Sequence, residues 1–339
     1  MNIFWFLKKF NRFLGKFSYH HRLICSLSRP RIFALETTNF CNLDCIMCPR
    51  RKMTRAKGFI NFEFVKNVID QTSKYTSFIR LHEMGEPLLD KNICKIINYC
   101  AEKKIQTEIS TNITLLSKDK ISEILCSRLY KIVLCLDGVT KQTYEKIRVG
   151  SDFELTVKNI GNFLKMKKEL GRKTPQVHLQ IILMNETERE ISKFVNEWRN
   201  SGVDDVVIKR FSTFSNQVEG IKELSELSHR YKDKTIKRRF PCFYLWDSVV
   251  VLWDGKVVPC CRDFNGKIIL GDAKKDSLIK IWNGQEMQEL RKRQIKGDFD
   301  NDLCRDCIEW PAEPCQKFYP VCRHFIDDLK RGIKKWQRE

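Results

Sequence analysis

Three cysteines, Cys41, Cys45 and Cys48, stand in the spacing C-x3-C-x2-C within Cys41-Asn42-Leu43-Asp44-Cys45-Ile46-Met47-Cys48. Three thiolates are one fewer than a closed tetrahedral or cuboidal site needs, so a metal centre held here keeps one position for a ligand that is not protein. An open position is a place for chemistry. The competing reading is three buried free thiols, or a zinc loop short of one ligand. A second set, Cys242, Cys260, Cys304 and Cys307, is separated by seventeen, forty-three and two residues. Four cysteines can close a cluster completely. A zinc ribbon would present two C-x2-C knuckles, whereas the first pair here spans a whole hairpin.

The elements that hold these residues follow from hydrophobic periodicity. Strands are predicted near 32–36, 78–83, 107–110, 132–136, 177–184 and 206–210, with helices at 62–73, 92–103, 118–126, 155–170 and 188–201. Repeated strand-helix units imply parallel strands joined by right-handed crossovers, and six of them suit an open, partial β/α barrel. Ligands in such sheets sit at the carboxyl ends of the strands, and the Cys41 loop directly follows the first strand. Residues 211–239 read as a helix and linker. A strand-like run over 245–252 then turns at Trp253-Asp254-Gly255 and returns through Lys256 to Cys260, a hairpin that brings Cys242 and Cys260 together across its base. A helix over 277–293 leads on to Cys304, with Leu278, Ile281, Trp282, Met287 and Leu290 as its apolar side.

At 339 residues the chain can bury one large domain and one small one. Its 15 cysteines fall in short-spaced clusters with no secretory signal, which argues for reduced thiols in the cytosol rather than a disulfide framework. Cys25, Cys94, Cys100 and Cys126 read as ordinary core thiols. A net charge of +20 is enough to attract nucleic acid or an anionic membrane, but no nucleic-acid module accompanies it, so a specific nucleic-acid partner is not expected. Residues 1–17 read as a basic amphipathic helix with Ile3, Phe6, Phe10, Phe13, Leu14 and Phe17 on one side. It is too short and too charged to span a bilayer. It can lie on an anionic membrane surface or dock on the protein, and each requires the aromatic stripe to be buried.

The Cys41 loop, preceded by Glu36-Thr37-Thr38-Asn39 and followed by Pro49-Arg50, resembles the cluster loop of radical S-adenosylmethionine (SAM) enzymes. In that family three cysteines hold a 4Fe-4S cluster, and SAM chelates the fourth iron. Met84-Gly85-Glu86-Pro87, after the second strand, resembles the family's Gly-Gly-Glu-Pro motif, with Met84 in place of the first glycine. Ser110-Thr111-Asn112 resembles the polar segment near SAM or substrate. Cys135-Leu136-Asp137-Gly138 resembles Ser-Leu-Asp-Gly, with Cys135 where the SAM-binding serine is usual. Tyr144 to Arg148 resembles the helix whose arginine faces the SAM carboxylate, a role that suits a planar guanidinium fork. The resemblance therefore implies SAM contacts at Met47, Gly85, Glu86, Ser110, Cys135 and Arg148.

The second cysteine set, with Gly255, Ile281-Trp282-Asn283 and Cys307-Ile308-Glu309-Trp310, resembles the family's auxiliary-cluster domain, known in a long form, SPASM, and a short form, twitch. Cys315 and Cys322 do not match the spacing of the long form, which favours a single auxiliary cluster, and Cys261 is unassigned. In cysteine spacing the chain is most similar to the twitch-type 2-deoxy-scyllo-inosamine dehydrogenases. The resemblance implies a partial (β/α)6 barrel followed by a small α+β auxiliary domain, with residues 1–30 an extension, 31–225 the core and 226–339 the auxiliary domain and a C-terminal helix. It implies SAM and two 4Fe-4S clusters as cofactors and a low-potential donor such as flavodoxin or ferredoxin. The activity implied is hydrogen abstraction from substrate by a 5'-deoxyadenosyl radical, with oxidation of a sugar- or cyclitol-like alcohol as the leading expectation. Radical modification of a peptide or protein side chain is the alternative. A non-catalytic basic metal-binding protein accounts for the charge but not for the Met-Gly-Glu-Pro turn. No catalytic acid or base is assigned.

Overall fold

A computed structural model describes residues 3–226 and 239–307. Cys315, Cys322 and the expected C-terminal helix lie outside the described residues, as do residues 227–238 of the expected 211–239 helix and linker. The chain opens with helix α1 (Ile3–His20). Six strands follow: β1 (Arg31–Leu35), β2 (Phe78–Arg80), β3 (Gln106–Thr111), β4 (Lys131–Cys135), β5 (Gln176–Leu183) and β6 (Asp205–Arg210). Between them run α2 (Phe62–Thr72), α3 (Ile93–Glu102), α4 (Lys118–Cys126), α5 (Lys141–Ile147), α6 (Phe153–Glu169) and α7 (Ile191–Trp198). The six strands are parallel in the order β6-β5-β4-β3-β2-β1, the open barrel expected.

Alternation along the strands separates two faces. Ile79, Leu81, Ile109, Ile132, Leu134, Val177, Leu179 and Ile181 pack against the helices in one apolar core with Val65, Ile97, Ile124 and Phe163. The intervening Arg80, His82, Glu108, Ser110, Lys131, Cys135 and Gln180 point into the barrel, which is therefore lined by polar groups. Its floor is closed by Glu108, which pairs with Arg80 at 3.1 Å and with Lys131. Helix starts are set by side-chain caps: Asn61, Ser117, Thr140 and Asp152 each accept a backbone N–H of the first turn, at about 1 kcal/mol apiece.

The hairpin falls where its Asp-Gly turn places it, with one difference. Residues 244–247 form a short helical turn, α8 (Tyr244–Asp247), before β7 (Ser248–Val251) and β8 (Lys256–Val258). Trp246 explains the turn, because it is fully buried against α1 and donates its indole N–H to Leu23 O at 2.7 Å, a placement extended backbone would not give. β7 pairs in parallel with β1, from Arg31 opposite Ser248 to Leu35 opposite Val251. With β9 (Gly271–Asp272), the auxiliary region thus continues the barrel sheet to nine strands. The predicted 277–293 helix is two, α9 (Leu278–Trp282) and α10 (Gln285–Ile295). They break at Asn283-Gly284, where Asn283 turns its side chain to Ser26 and Arg291 instead of continuing the helix.

Helix α1 does not bury its aromatic stripe on the protein, as one of the two sequence readings required. It docks by its other face. Asn11, Gly15 and Ser18 are buried there, and a Cβ on Gly15 would meet Trp246 O at 2.8 Å. Cys25 and Cys126, read as core thiols, are exposed, while Cys94 and Cys100 are buried as expected.

Candidate active site

The Cys41 loop leaves β1 at the carboxyl-end rim of the barrel and is clamped on three sides. Asp44 and Ile46 donate their N–H groups to Val149 O (2.9 Å) and Ile147 O (3.0 Å), just beyond α5. Asn112, after β3, donates to Asn42 Oδ1 at 2.9 Å and approaches Cys41 Sγ at 3.9 Å. Glu86 N donates to Phe40 O at 2.8 Å. Around the loop, Leu43, Met47, Ile147, Met184, Phe211 and Ile221 make a separate apolar shell. Burial pushes the Cys45 thiol up to about 12 and raises Cys41 and Cys48, so these thiols need a cationic centre to hold them as thiolates.

Gly85 is fixed by packing. A Cβ there would lie 2.3 Å from Thr38 O and 2.7 Å from Phe40 O, both backbone atoms of the segment entering the cysteine loop. Glu86 is buried, its two oxygens accepting from Leu88 N (3.1 Å) and Asn112 N (2.8 Å), and burial raises its carboxyl to about 7 despite these donors. Ser110 Oγ and Cys135 Sγ lie 3.1 Å apart, and Gln180 Nε2 reaches the same sulfur at 3.6 Å. Arg148 is buried with one edge committed to Asp137: Nε and one terminal nitrogen both donate to Oδ2, at 2.8 and 2.6 Å. Asp137 Oδ1 in turn accepts Ile182 N at 2.7 Å. Met47 is buried between Cys45 and Cys48, and Met84 is buried beside Gly85.

Sequence reasoning passed over several groups here. His82 accepts from Ser110 N at 3.1 Å through Nδ1, and burial lowers it to about 4, so it is neutral. Burial and then the Glu36 carboxylate push Glu83 up to about 8. Glu36 is fully buried and forked by Arg55, whose Nε also donates to Phe264 O at 2.6 Å. Thr54 N donates to Asn265 Oδ1 at 2.9 Å, and Trp253 Nε1 to Ala56 O at 3.2 Å. The segment after the first cysteine loop is therefore bonded directly to the second region. Alternation in β2 was the available signal, since it carries Arg80 and His82 to the inside.

Cys242, Cys260, Cys304 and Cys307 converge. Cys242 N donates to Gln294 Oε1 at 2.7 Å, and Gln294 Nε2 reaches Cys304 Sγ at 3.3 Å. Burial drives the Cys242 thiol up to about 12, and nearby Cys307 and Cys304 push it the same way; Cys260 is raised by burial and then by Cys261, Cys242 and Cys307. Cys261 belongs to the barrel side, with Phe33, Ala34, Val250 and Val258 around it and the Arg262 guanidinium 2.6 Å from its sulfur. Among the described residues no three cysteine sulfurs lie within 4.8 Å of one another, whereas tetrahedral zinc at ~2.3 Å per thiolate sets them roughly 3.8 Å apart. All-thiol donor sets, with Cys45 buried and the other six half-buried, fit iron-sulfur clusters in both places.

The family model of the radical SAM superfamily matches residues 35–197, and that of SPASM, an iron-sulfur cluster-binding domain, matches residues 242–308. The chain carries a radical SAM domain followed by a SPASM domain. Its cofactors are accordingly SAM and iron-sulfur clusters, one ligated in the barrel and further cluster binding in the SPASM region. This radical SAM chain is 21% identical over 308 residues to a Pyrococcus furiosus protein named as the tungsten-containing aldehyde ferredoxin oxidoreductase cofactor-modifying protein, covering 80% of this chain and 86% of that one. Its fold matches that of BtrN in complex with AdoMet and 2-DOIA at a TM-score of 0.53 and 19% identity, over 82% of this chain and 92% of BtrN. It also matches Streptococcus suis SuiB bound to precursor peptide SuiA at a TM-score of 0.62 and 14% identity, over 81% of this chain and 69% of SuiB.

Proposed function

We propose that this radical SAM enzyme oxidises a hydroxyl-bearing small molecule of sugar or cyclitol type. The observation that carries the reading is the polar barrel interior between the two cysteine sites, where His82, Glu83, Ser110 and Gln180 stand above the Arg80–Glu108–Lys131 floor. Such a lining suits a ligand with several hydroxyls better than an apolar one. Cys41, Cys45 and Cys48 would hold the SAM cluster, and Cys242, Cys260, Cys304 and Cys307 the auxiliary one. When bound, these groups supply a 5'-deoxyadenosyl radical that removes a hydrogen atom from substrate and a sink for the electron left behind.

The chain's own residues do the positioning. Gly85 and Glu86 set the distance from β2 to the cysteine loop, and the Asp137–Arg148 pair fixes the end of α5 against it. The free edge of Arg148, with Ser110, Cys135 and Met47, faces the space where SAM would lie. The apolar shell of Met184, Phe211 and Ile221 keeps water from the loop, which a carbon radical requires. A carboxyl that titrates near neutrality, Glu83, beside neutral His82 is suited to take the hydroxyl proton as the substrate is oxidised. A low-potential flavodoxin or ferredoxin in the reducing cytosol is the fitting electron source.

Likeness to SuiB with its precursor peptide supports a second reading, peptide side-chain modification. Anaerobic incubation of reduced enzyme and SAM with panels of aminocyclitols, sugars and peptides separates the two. The proposal expects 5'-deoxyadenosine together with a product lighter by two hydrogens from a polyol. Turnover with peptides alone would overturn it.

A further inference from the structure

Helix α1 turns the wrong way for a helix that merely packs on its own protein. The face against the barrel is small and polar over most of its length, with Tyr19 at its end edge-on to Phe243 and Trp246. Asn11 exchanges hydrogen bonds with Arg29 at 2.7 and 3.0 Å, Lys8 Nζ donates to Lys104 O at 2.7 Å, and Tyr19 OH donates to Pro241 O at 3.1 Å. The opposite face carries Phe6, Phe10, Phe13 and Phe17, exposed at 48, 46, 59 and 39%. Their rings line up one turn after another, with centroids 6.0, 6.4 and 6.3 Å apart. Two more exposed apolar residues, Ile24 and Leu27, follow the helix in the chain. Along one edge lie Lys9, Arg12, Lys16 and His20, and Lys9 Nζ sits 3.7 Å over the ring of exposed Trp5. The chain has no acidic residue before Glu36, while Lys8, Lys9, Arg12, Lys16, Arg22, Arg29 and Arg31 precede it.

We propose that this face of α1 is an interfacial docking surface for an anionic lipid bilayer, and that it holds the enzyme with its active-site mouth turned away from the membrane. Charge decides the occupant. A second copy would bring the same cations against themselves, whereas lipid acyl chains cover the phenylalanines and anionic headgroups meet the lysines and arginine. No described helix is long and apolar enough to cross a membrane, so the contact is peripheral. The orientation follows from where α1 is tied down. Arg29, Lys104 and Pro241 precede β1, β3 and β7, so the helix crosses the amino ends of the strands. Cys242, ahead of β7, and Cys260, at the end of antiparallel β8, lie on the side of α1, whereas the Cys41 site lies beyond the carboxyl end of β1. Substrate therefore reaches the mouth from water, and a bilayer-embedded lipid tail does not.

The test uses the anaerobic holoenzyme with phosphatidylcholine vesicles and with vesicles of equal phosphatidylcholine and phosphatidylglycerol. Flotation should recover at least tenfold more protein with the anionic vesicles, and raised salt should release it. Phe6→Glu with Phe13→Glu should lower that recovery at least tenfold while SAM cleavage without vesicles is unchanged. Amide exchange on anionic vesicles should show protection over residues 3–27 and none over 38–60. Recovery no greater than with phosphatidylcholine, wild-type recovery of the double variant, protection over 38–60 instead, or self-association that the double variant abolishes would each overturn the proposal.

Discussion

Gly85→Ala is the sharpest probe of how the cysteine loop is held. The new Cβ would stand 2.3 Å from Thr38 O, where real Cβ atoms do not come closer than 3.0 Å, so the backbone carbonyl has to retreat by about 0.7 Å. Phe40 O, at 2.7 Å, has to move as well, and it precedes Cys41 and accepts the Glu86 N–H. Overpacking of this kind costs ~1–3 kcal/mol, and neither contact is the flexible end of a side chain that could swing aside. Metal ligands tolerate only about 0.2 Å, so a shift of this size at the residue next to Cys41 should weaken cluster retention roughly 5- to 150-fold. The assay is iron and sulfide content with electron paramagnetic resonance of the reduced protein, purified and measured without SAM. The barrel cluster signal should fall while the auxiliary signal stays. If the glycine serves only to let SAM approach, the SAM-free iron content and spectrum will match wild type and only SAM affinity will drop. That result would refute the packing argument.

Cys45→Ala should abolish 5'-deoxyadenosine formation and leave auxiliary iron in place, read by product chromatography and iron analysis. Cys304→Ala with Cys307→Ala should remove one cluster and stop turnover while SAM still binds by equilibrium dialysis; an unchanged iron count would sink the auxiliary assignment. Glu86 is raised from 4.5 to about 7 in the fold, so its contribution to stability is full below pH 4.5 and is lost as pH rises through about 7, a fall of about 3 kcal/mol. Denaturation midpoints of the anaerobic holoenzyme between about pH 5 and pH 8 should show that decline in wild type and a flatter profile in Glu86→Gln. Glu83, raised to about 8, adds a later limb of the same sign that Glu83→Gln should remove.

The barrel was legible because each strand pairs an apolar outer face with a helix of matching period, as Ile132 and Leu134 do with Ile124 and Phe163. The cysteine sites were legible because their spacing is local. What sequence did not show is tertiary in origin. Arg148 reads as a charge free to meet a ligand, but half of it is taken by Asp137, eleven residues earlier, and no periodicity connects the two. Glu83 looks like the tail of a strand, and only burial beside Glu36 brings its proton into the neutral range. The phenylalanine stripe of α1 marks an amphipathic helix but not which face the protein takes, because Asn11, Gly15 and Ser18 look like its solvent side until Trp246 and Arg29 are found against them.

The parallel pairing of β1 with β7 makes the two halves of the chain one mechanical unit. Backbone pairing runs through four register positions, with one irregularity between Ile32 and Ala34, so the auxiliary cysteines cannot drift relative to the Cys41 loop by small side-chain adjustments. They can move only by whole steps of about 3.3 Å, and an odd step would turn Val249 and Val251 from the helix side into the barrel. Grafting an auxiliary region from a relative therefore requires the donor strand to reproduce this register. A chimera joined ahead of β7 with a one-residue offset would keep every cysteine and still misplace the route between the two centres.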